Sequence, residues 1–318
     1  MLVYRGLTTD QESRPASHNA PMKDEDGAEE ALTDVSARIS DHLPLDLDNL
    51  RRLFQPLGEP PPGDWLDIHD EPGQTFEEYL LSDPTTSHSL RRIIYVQPLG
   101  PFTPSQRAVV DATADFLSRY FQLPLRVSND WPESLVPEDA RRRHPDWGVE
   151  QILTDFVLYD LLKPRLPDDA AAYLALTAID LWPGEGWNFV FGEASIEDRV
   201  GVWSIHRYGD PSGGEGAFRL CLLRTLKTAT HEAGHLFSMD HCTAYACNMG
   251  GSESLAESDR GPLALCPECL AKLCWATQCD PIARYRQLID FCRTYGLTAE
   301  QSFYEHCLQT LVGAPSEP

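Results

Sequence analysis

The residues with the clearest chemical potential lie in a short stretch that begins at His231. His231 and His235 are four positions apart with Glu232 between them, and His241 follows six positions later. On an α-helix this spacing projects both imidazoles from one face, one turn apart, so that they can bind one zinc ion. Glu232 lies at the edge of that face, where it can reach a zinc-bound water without binding the metal.

The third ligand of such a site is His241. It lies too far along the chain to share the helix face, so the helix must end between His235 and His241 and the chain must turn back. Three histidines leave one coordination position open, which is typical of catalytic zinc sites. The metal lowers the pKa of the bound water and polarises a carbonyl. Glu232 would take the proton of that water and pass it to the leaving amine.

Four cysteines directly after the histidines predict a second zinc site, which is closed and structural. These ligands are Cys242, Cys247, Cys266 and Cys269. A redox role for the CxxC pair at 266–269 is disfavoured because no βαβ pattern surrounds it. Because Cys242 is bonded directly to His241, the structural zinc would hold the backbone of the third histidine. We therefore predict that the affinities of the two sites for zinc are coupled.

The elements that must position these residues can be read from the apolar pattern. Residues 218–230 contain no Pro or Gly and carry apolar side chains at helical spacing, which predicts a buried active-site helix. Upstream of it, strands and helices alternate, which predicts an α/β layer. The predicted strands cover residues 92–98, 123–128, 172–179 and 200–205. The predicted helices cover residues 105–121 and 148–162 before the zinc sites, and 282–295 and 299–311 after them.

Composition limits the partners. The 318 residues carry a net charge of −23, which disfavours binding to a phosphate backbone. The sequence contains no run of 18 apolar residues, so it predicts no membrane span. The N-terminus lacks the apolar core of a signal peptide. Nine cysteines, four of them in a metal spacing, fit a reducing compartment, and the other five are predicted to be buried thiols. We expect a cytoplasmic monomer with a peptide or protein substrate, and no nucleic-acid or membrane partner.

The chain is predicted to contain one large domain. Residues 1–45 are polar and acidic, which predicts disorder. Residues 46–312 are predicted to form a single metallopeptidase domain. Its N-terminal α/β subdomain (46–240) carries the active-site helix, and its C-terminal subdomain (241–312) carries the four-cysteine site and helices. Residues 313–318 form a tail.

The histidine and cysteine block resembles the archaemetzincins, also called archaelysins, a family of metzincin zinc metallopeptidases. The shared pattern is HExxHxxGxxH with a Cys directly after the third His, a second Cys five residues on, a Met two residues further, and a CxxC beyond. The resemblance runs from about Gly58 to about Gln309. Four further stretches are similar, at residues 179–183, 187–194, 228–232 and 259–263.

This resemblance implies a metzincin-like zincin fold. Such a fold has a twisted mixed sheet with backing helices and a long active-site helix, followed by a zinc-stapled loop and C-terminal helices. It also implies that the strand at 200–205 is an edge strand that pairs with an extended substrate. The residue roles that it implies are a catalytic zinc on His231, His235 and His241, Glu232 as general base, Met249 as the Met-turn residue, and a structural zinc on the four cysteines.

One position departs from the family pattern. The usual Gly between the second and third histidines is Ser238 here. Gly at this point allows a positive φ as the helix ends. Ser in that conformation costs about 1 kcal/mol, which is not enough to abolish zinc binding.

The sequence therefore predicts a zinc-dependent metallopeptidase with two zinc ions per chain, and it leaves open whether the enzyme is an aminopeptidase or an endopeptidase. One alternative is a catalytically weak zinc-binding interaction protein that keeps the metzincin fold. Ser238 gives it slight support, and the intact Glu232 argues against it. A second alternative is a different HExxH amide hydrolase, such as a deformylase. Three histidines and a separate four-cysteine set disfavour it.

Overall fold

The structure is a computed structural model that describes residues 2–4, 47–87 and 90–313. The described residues form nine strands and eight α-helices. The strands are β1 (Leu2–Tyr4), β2 (Ile93–Leu99), β3 (Leu125–Val127), β4 (Arg141–Arg143), β5 (Glu150–Leu153), β6 (Ala170–Thr177), β7 (Asp180–Trp182), β8 (Gly192–Ser195) and β9 (Val200–Ser204). The helices are α1 (Trp65–Ile68), α2 (Phe76–Leu81), α3 (Pro104–Phe121), α4 (Glu215–Leu236), α5 (Leu255–Arg260), α6 (Pro267–Thr277), α7 (Pro281–Tyr295) and α8 (Thr298–Val312).

Two predicted terminal segments fall mostly outside the described residues. Of the segment 1–45, which was predicted to be disordered, only Leu2–Tyr4 is described, and it forms β1. The predicted tail at 313–318 is described only at Gly313.

A six-stranded mixed sheet forms the centre of the fold, with the strand order β1-β8-β9-β6-β2-β3. β2, β3, β6 and β9 are parallel neighbours, whereas β8 runs antiparallel to β9. All eight residues of β6 are buried, as expected for a central parallel strand that is covered on both faces. The predicted α/β class and the predicted strands β2 and β6 are therefore confirmed, with ends that differ by one or two residues.

Helix α4 packs on one face of this sheet, against β8 and β9. Its buried residues Leu222, Leu226 and Ala233 share one apolar core with Leu174 of β6 and Trp203 of β9. The C-terminal half of α4 carries the HExxH residues. The predicted active-site helix is confirmed, and the sheet sets its position.

The helix predicted at residues 148–162 is wrong over residues 148–153, whereas residues 154–162 are helical. Residues 150–153 form β5, which pairs with β4 and β7 in a second, three-stranded sheet. A π-helix follows at Phe156–Leu162. A short apolar run fits either a buried helix or a strand, and here pairing with β4 across a short connection favours the strand.

The prediction that residues 200–205 form an edge strand is also wrong. β9 is hydrogen-bonded on both sides, to β6 and to β8. Residues 196–199 make a short turn between β8 and β9, with Arg199 at a positive φ of 55°. Such a turn places the two strands side by side and antiparallel. β8 therefore lies outside β9, and β1 pairs in parallel with β8.

Two features of composition can be compared with the structure. All nine cysteines lie in the described part of the chain and are buried free thiols, which agrees with the prediction for the five outside the zinc spacing. Among the described residues, no helix combines the length and the apolar character needed to cross a membrane.

Candidate active site

The three histidines of the predicted catalytic site come together at the C-terminal end of α4. The helix ends at Leu236, and Ser238 adopts a positive φ of 62°, so the chain turns back as expected. His231, His235 and His241 are buried, and one ring nitrogen from each lies within 4.8 Å of the others. The Nε2 atoms of His231 and His235 are 2.9 Å apart.

Each of these rings is oriented by an acceptor at its other nitrogen. Nδ1 of His231 lies 2.8 Å from the carbonyl oxygen of Asn248, and Nδ1 of His235 lies 2.7 Å from that of Met239. Nδ1 of His241 lies 2.9 Å from a carboxylate oxygen of Glu71. Because an acceptor needs a hydrogen on Nδ1, each contact favours the tautomer whose Nε2 lone pair can bind a metal.

The protonation of this cluster suits a metal. Burial is the main cause that lowers the pKa of His231 to about 3, and the neighbouring His241 contributes to this shift. Burial also holds the pKa of His235 well below its usual value, with His231 adding to the effect. Both imidazoles are therefore neutral near pH 7, as zinc requires. The donor set of three imidazoles fits a zinc ion.

The Met249 side chain packs against Gly234 of α4, the helix that carries His231 and His235. A Cβ placed on Gly234 would lie 2.5 Å from Sδ of Met249, so only a glycine allows this approach. The carbonyl of Met249 accepts a hydrogen bond of 2.8 Å from the backbone N–H of Cys242. The predicted Met-turn residue thus links the histidine cluster to the first cysteine.

Glu232 is fully buried beside β8. A Cβ on Gly192 would lie 2.8 Å from Oε1 of Glu232, so the carboxyl occupies the space that a side chain at position 192 would fill. Neither carboxyl oxygen has a hydrogen-bond partner among the described residues. Burial raises the pKa of Glu232 well above its usual value, and the nearby Glu193 raises it further. A carboxyl in this environment is a strong proton acceptor once it is ionised.

The four cysteines form a second cluster, whose sulfur atoms lie within 4.8 Å of one another. Sγ of Cys242 is 3.7 Å from Sγ of Cys266. A tetrahedral zinc with Zn–S bonds of about 2.3 Å places its sulfurs about 3.8 Å apart, so the cluster fits that ion.

Backbone donors support negative charge on these sulfurs. The N–H of Cys266 donates to Cys247 Sγ at 3.2 Å, and the N–H of Cys269 donates to Cys266 Sγ at 3.5 Å. Cys266 is also the N-cap of α6, where the helix dipole favours thiolates.

Residues that the sequence analysis missed complete the histidine cluster. They belong to residues 63–87, which we call the strap and which includes α1 and α2. Glu71 contacts His241, and the Trp65 ring packs edge-on against the His241 ring with centroids 5.1 Å apart. Burial raises the pKa of Glu71, but the hydrogen bond and charge of His241 outweigh it, so this pKa lies below its usual value. Glu71 and His241 are 170 positions apart, and no local spacing could have revealed the contact.

The strap also explains the departure at Ser238. The backbone N–H of Thr85 donates to Ser238 Oγ at 3.0 Å, and Gln74 Nε2 donates to the Ser238 carbonyl at 3.3 Å. The Tyr79 hydroxyl donates to the carbonyl of Phe237 at 2.8 Å. A glycine at 238 would relieve the positive φ but would lose the side-chain hydrogen bond.

An HExxH helix on a mixed sheet, with a third histidine after the turn, defines a zinc-dependent metallopeptidase. Residues 168–274 match the profile of peptidase family M54. The chain is 33% identical to human archaemetzincin-2 over 270 residues, which cover 74% of each chain. It is 33% identical to the archaemetzincin of Thermococcus kodakarensis over 190 residues, 57% of this chain and 95% of that one. The crystal structure of archaemetzincin from Methanopyrus kandleri aligns with 58% of this chain and 95% of its own, at 29% identity and a TM-score of 0.46.

The chain belongs to the archaemetzincin family, and it is a zinc-dependent metallopeptidase. This membership confirms the predicted family and enzyme class. It does not favour the alternative of an interaction protein without turnover.

Proposed function

We propose that the histidine cluster is the site of peptide-bond hydrolysis. His231, His235 and His241 bind the catalytic zinc, and Glu232 is the general base. The observation that carries this proposal is the convergence of three imidazoles whose Nδ1 atoms all face acceptors, next to a buried glutamate. Two backbone carbonyls and one carboxylate hold the rings in the orientation that zinc needs.

The chemistry follows from these positions. When bound, zinc supplies a Lewis acid that polarises the substrate carbonyl and acidifies water. Glu232 accepts a proton from the attacking water and delivers it to the leaving nitrogen. Its buried position beside Gly192 holds the carboxyl in place. Burial also raises the pKa of Glu232, which favours its keeping the proton between the two steps.

We propose a second zinc on the four-cysteine cluster, so that each chain binds two ions. The sulfur spacing and the backbone donors to sulfur support it. Cys242 connects the two clusters, because it follows His241 in the chain and its N–H donates a hydrogen bond to the carbonyl of Met249. Met249 acts as the Met-turn residue in this proposal, supporting α4 from below.

We also propose a cytoplasmic monomer that acts on peptides or proteins and has no nucleic-acid or membrane partner. The nine buried thiols support a reducing compartment. The net charge of −23 argues against a nucleic-acid partner. One apolar core contains residues from both sides of position 240, which supports a single domain over 46–312.

The variant Glu232→Ala tests the proposed reaction. It should keep both zinc ions, because Glu232 is not a ligand, and lose roughly 10²- to 10⁴-fold in turnover, the usual contribution of a general base. Zinc per chain is measured by plasma mass spectrometry, and turnover by cleavage of a peptide library. The matched control is Glu215→Ala, which removes a glutamate from the first turn of α4 whose side chain is 92% exposed.

Equal turnover in Glu232→Ala and the wild type would rule out this residue as the base. The cut positions in the library separate the two modes that the sequence left open. Cleavage confined to the first peptide bond indicates an aminopeptidase, and internal cleavage indicates an endopeptidase.

A further inference from the structure

We propose that Glu71 is a positioning residue for the catalytic metal, supplied by the strap from outside the HExxH region. Its carboxylate fixes the tautomer and the rotation of His241. This inference rests on the proposed function, because it assumes that the three histidines bind zinc.

The three histidines differ in how they are held. His231 and His235 lie on α4, so the helix fixes their backbones and backbone carbonyls orient their rings. His241 lies beyond the turn at Ser238 and outside any helix. Its ring is held by two side chains of the strap, with both Glu71 oxygens within 3.0 Å of Nδ1 on one side and the Trp65 ring on another. The orientation of the His241 ring therefore depends on a side-chain carboxylate, whereas backbone carbonyls orient the rings of His231 and His235.

A carboxylate in this position acts on metal binding in two ways. It selects the tautomer with Nε2 available, and its charge makes the imidazole a stronger donor. Loss of such a partner typically weakens metal binding 10- to 100-fold. Glu71 does not need to touch the substrate to have this effect.

The rest of the strap is held independently of Glu71. Gln74 Oε1 accepts from the N–H of Asp240 at 3.3 Å, and Lys272 Nζ donates to the carbonyl of Gln74. Tyr79 and Thr85 bind the turn at 237–238, as described above. Removing the Glu71 carboxylate should therefore leave the strap in place.

The chain provides a matched control on the same segment. Nε2 of His69 lies 2.7 Å from Glu253, so this pair also joins the strap to the Met-turn region by a Glu–His contact. The Glu253 and Glu71 side chains are similarly buried, at 20% and 27% exposed. His69 lies outside the metal-binding cluster. A general loosening of the strap would appear in variants of either glutamate, whereas the loss of a carboxylate at Nδ1 of His241 occurs only at Glu71.

The experiment measures the rate at which zinc leaves the full-length protein in the presence of an excess of a chelating dye at pH 7. The variant His235→Ala, which lacks the histidine site, identifies the phase that belongs to this site. Glu71→Ala should release zinc from the histidine site 10- to 100-fold faster than the wild type. Glu253→Ala should lie within about threefold of the wild type. Glu71→Gln keeps an acceptor oxygen and should fall between Glu71→Ala and the wild type.

Three outcomes would overturn the proposal. The first is that Glu71→Ala and Glu71→Gln both release zinc within threefold of the wild-type rate. The second is that Glu253→Ala accelerates release as much as Glu71→Ala does. The third is that the wild type shows no phase that His235→Ala removes, and this outcome would overturn the proposed function as well. The first two leave the proposed function intact, so the two failures can be told apart.

Discussion

The histidine cluster and the cysteine cluster are neighbours, yet they are supported in different ways. The cysteines all lie within residues 242–269, and backbone N–H groups of the same stretch donate to their sulfurs. The histidines are supported from three separate places: the Met-turn, the end of α4 and the strap, whose Glu71 lies 170 positions from His241.

This difference in support matches the different requirements of a closed site and an open site. A closed site whose ligands are close in sequence can form without contacts from distant parts of the chain, so it can fix the local backbone. An open site must hold its ligands while it leaves room for substrate, so it needs support from outside the ligand set. The hydrogen bond from the Cys242 N–H to the Met249 carbonyl connects the cysteine cluster to the Met-turn, which also supports the histidine cluster.

The largest expected effect is that of Cys266→Ser, which tests whether the cysteine site supports the histidine site. It should remove one zinc per chain and cost several kcal/mol of stability, because binding of a structural zinc contributes directly to folding. The affinity of the histidine site for zinc should also fall, by about tenfold or more. The measurements are zinc per chain, thermal unfolding and competition with a chelator.

The control for this variant is Cys292→Ser, which makes the same change at a buried cysteine outside both clusters. It should keep both zinc ions. Unchanged zinc affinity at the histidines in Cys266→Ser would show that the two sites are independent.

A smaller effect is expected for Gly192→Ala, which perturbs the proposed general base Glu232 without changing any of the proposed zinc ligands. The new methyl group would lie 2.8 Å from Oε1 of Glu232 and displace the carboxyl. We expect kcat to fall roughly 10- to 100-fold, the scale of a misplacement of about 1 Å, with zinc content unchanged. Gly216→Ala, where no neighbour lies within 4 Å of the added carbon, should leave kcat unchanged. Equal kcat values for Gly192→Ala and the wild type would mean that Gly192 does not position Glu232.

The smallest effect is expected for Ser238→Gly, at the turn that joins the two regions. Relief of the positive φ should gain about 1 kcal/mol. Loss of the bond from Thr85 N–H should cost about 1 kcal/mol, so the net change in unfolding free energy should be near zero. Chemical denaturation measures it. A gain or loss beyond about 1 kcal/mol would show that one of these contributions is missing.

The sequence was informative where the structure is local. The end of α4, the turn at Ser238 and both clusters of potential ligands follow from residue type and spacing over fewer than 40 positions. The apolar run of β6 was recognisable for the same reason, because a buried parallel strand is apolar along its whole length.

The errors and omissions have one physical cause, which is that contacts between separate segments decide the outcome, and the pattern within one segment does not show them. β5 is a strand because β4 and β7 pair with it, and β9 is internal because β8 folds back beside it. Glu71 is an ordinary acidic residue in a loop until the fold places it against His241. Spacing along the chain carries no information about such contacts.

The contact between Glu71 and His241 also has a consequence for the timing of synthesis. A ribosome releases Glu71 long before His241, and the cysteine cluster is complete only after Cys269 has emerged. Closing a flexible loop of this length costs roughly 4 to 5 kcal/mol of chain entropy, which is more than one hydrogen bond returns. The contact can therefore form only after the intervening sheet and helices have folded and brought its partners together. A nascent chain thus completes the histidine cluster only after the segment between Glu71 and His241 has been made and has folded.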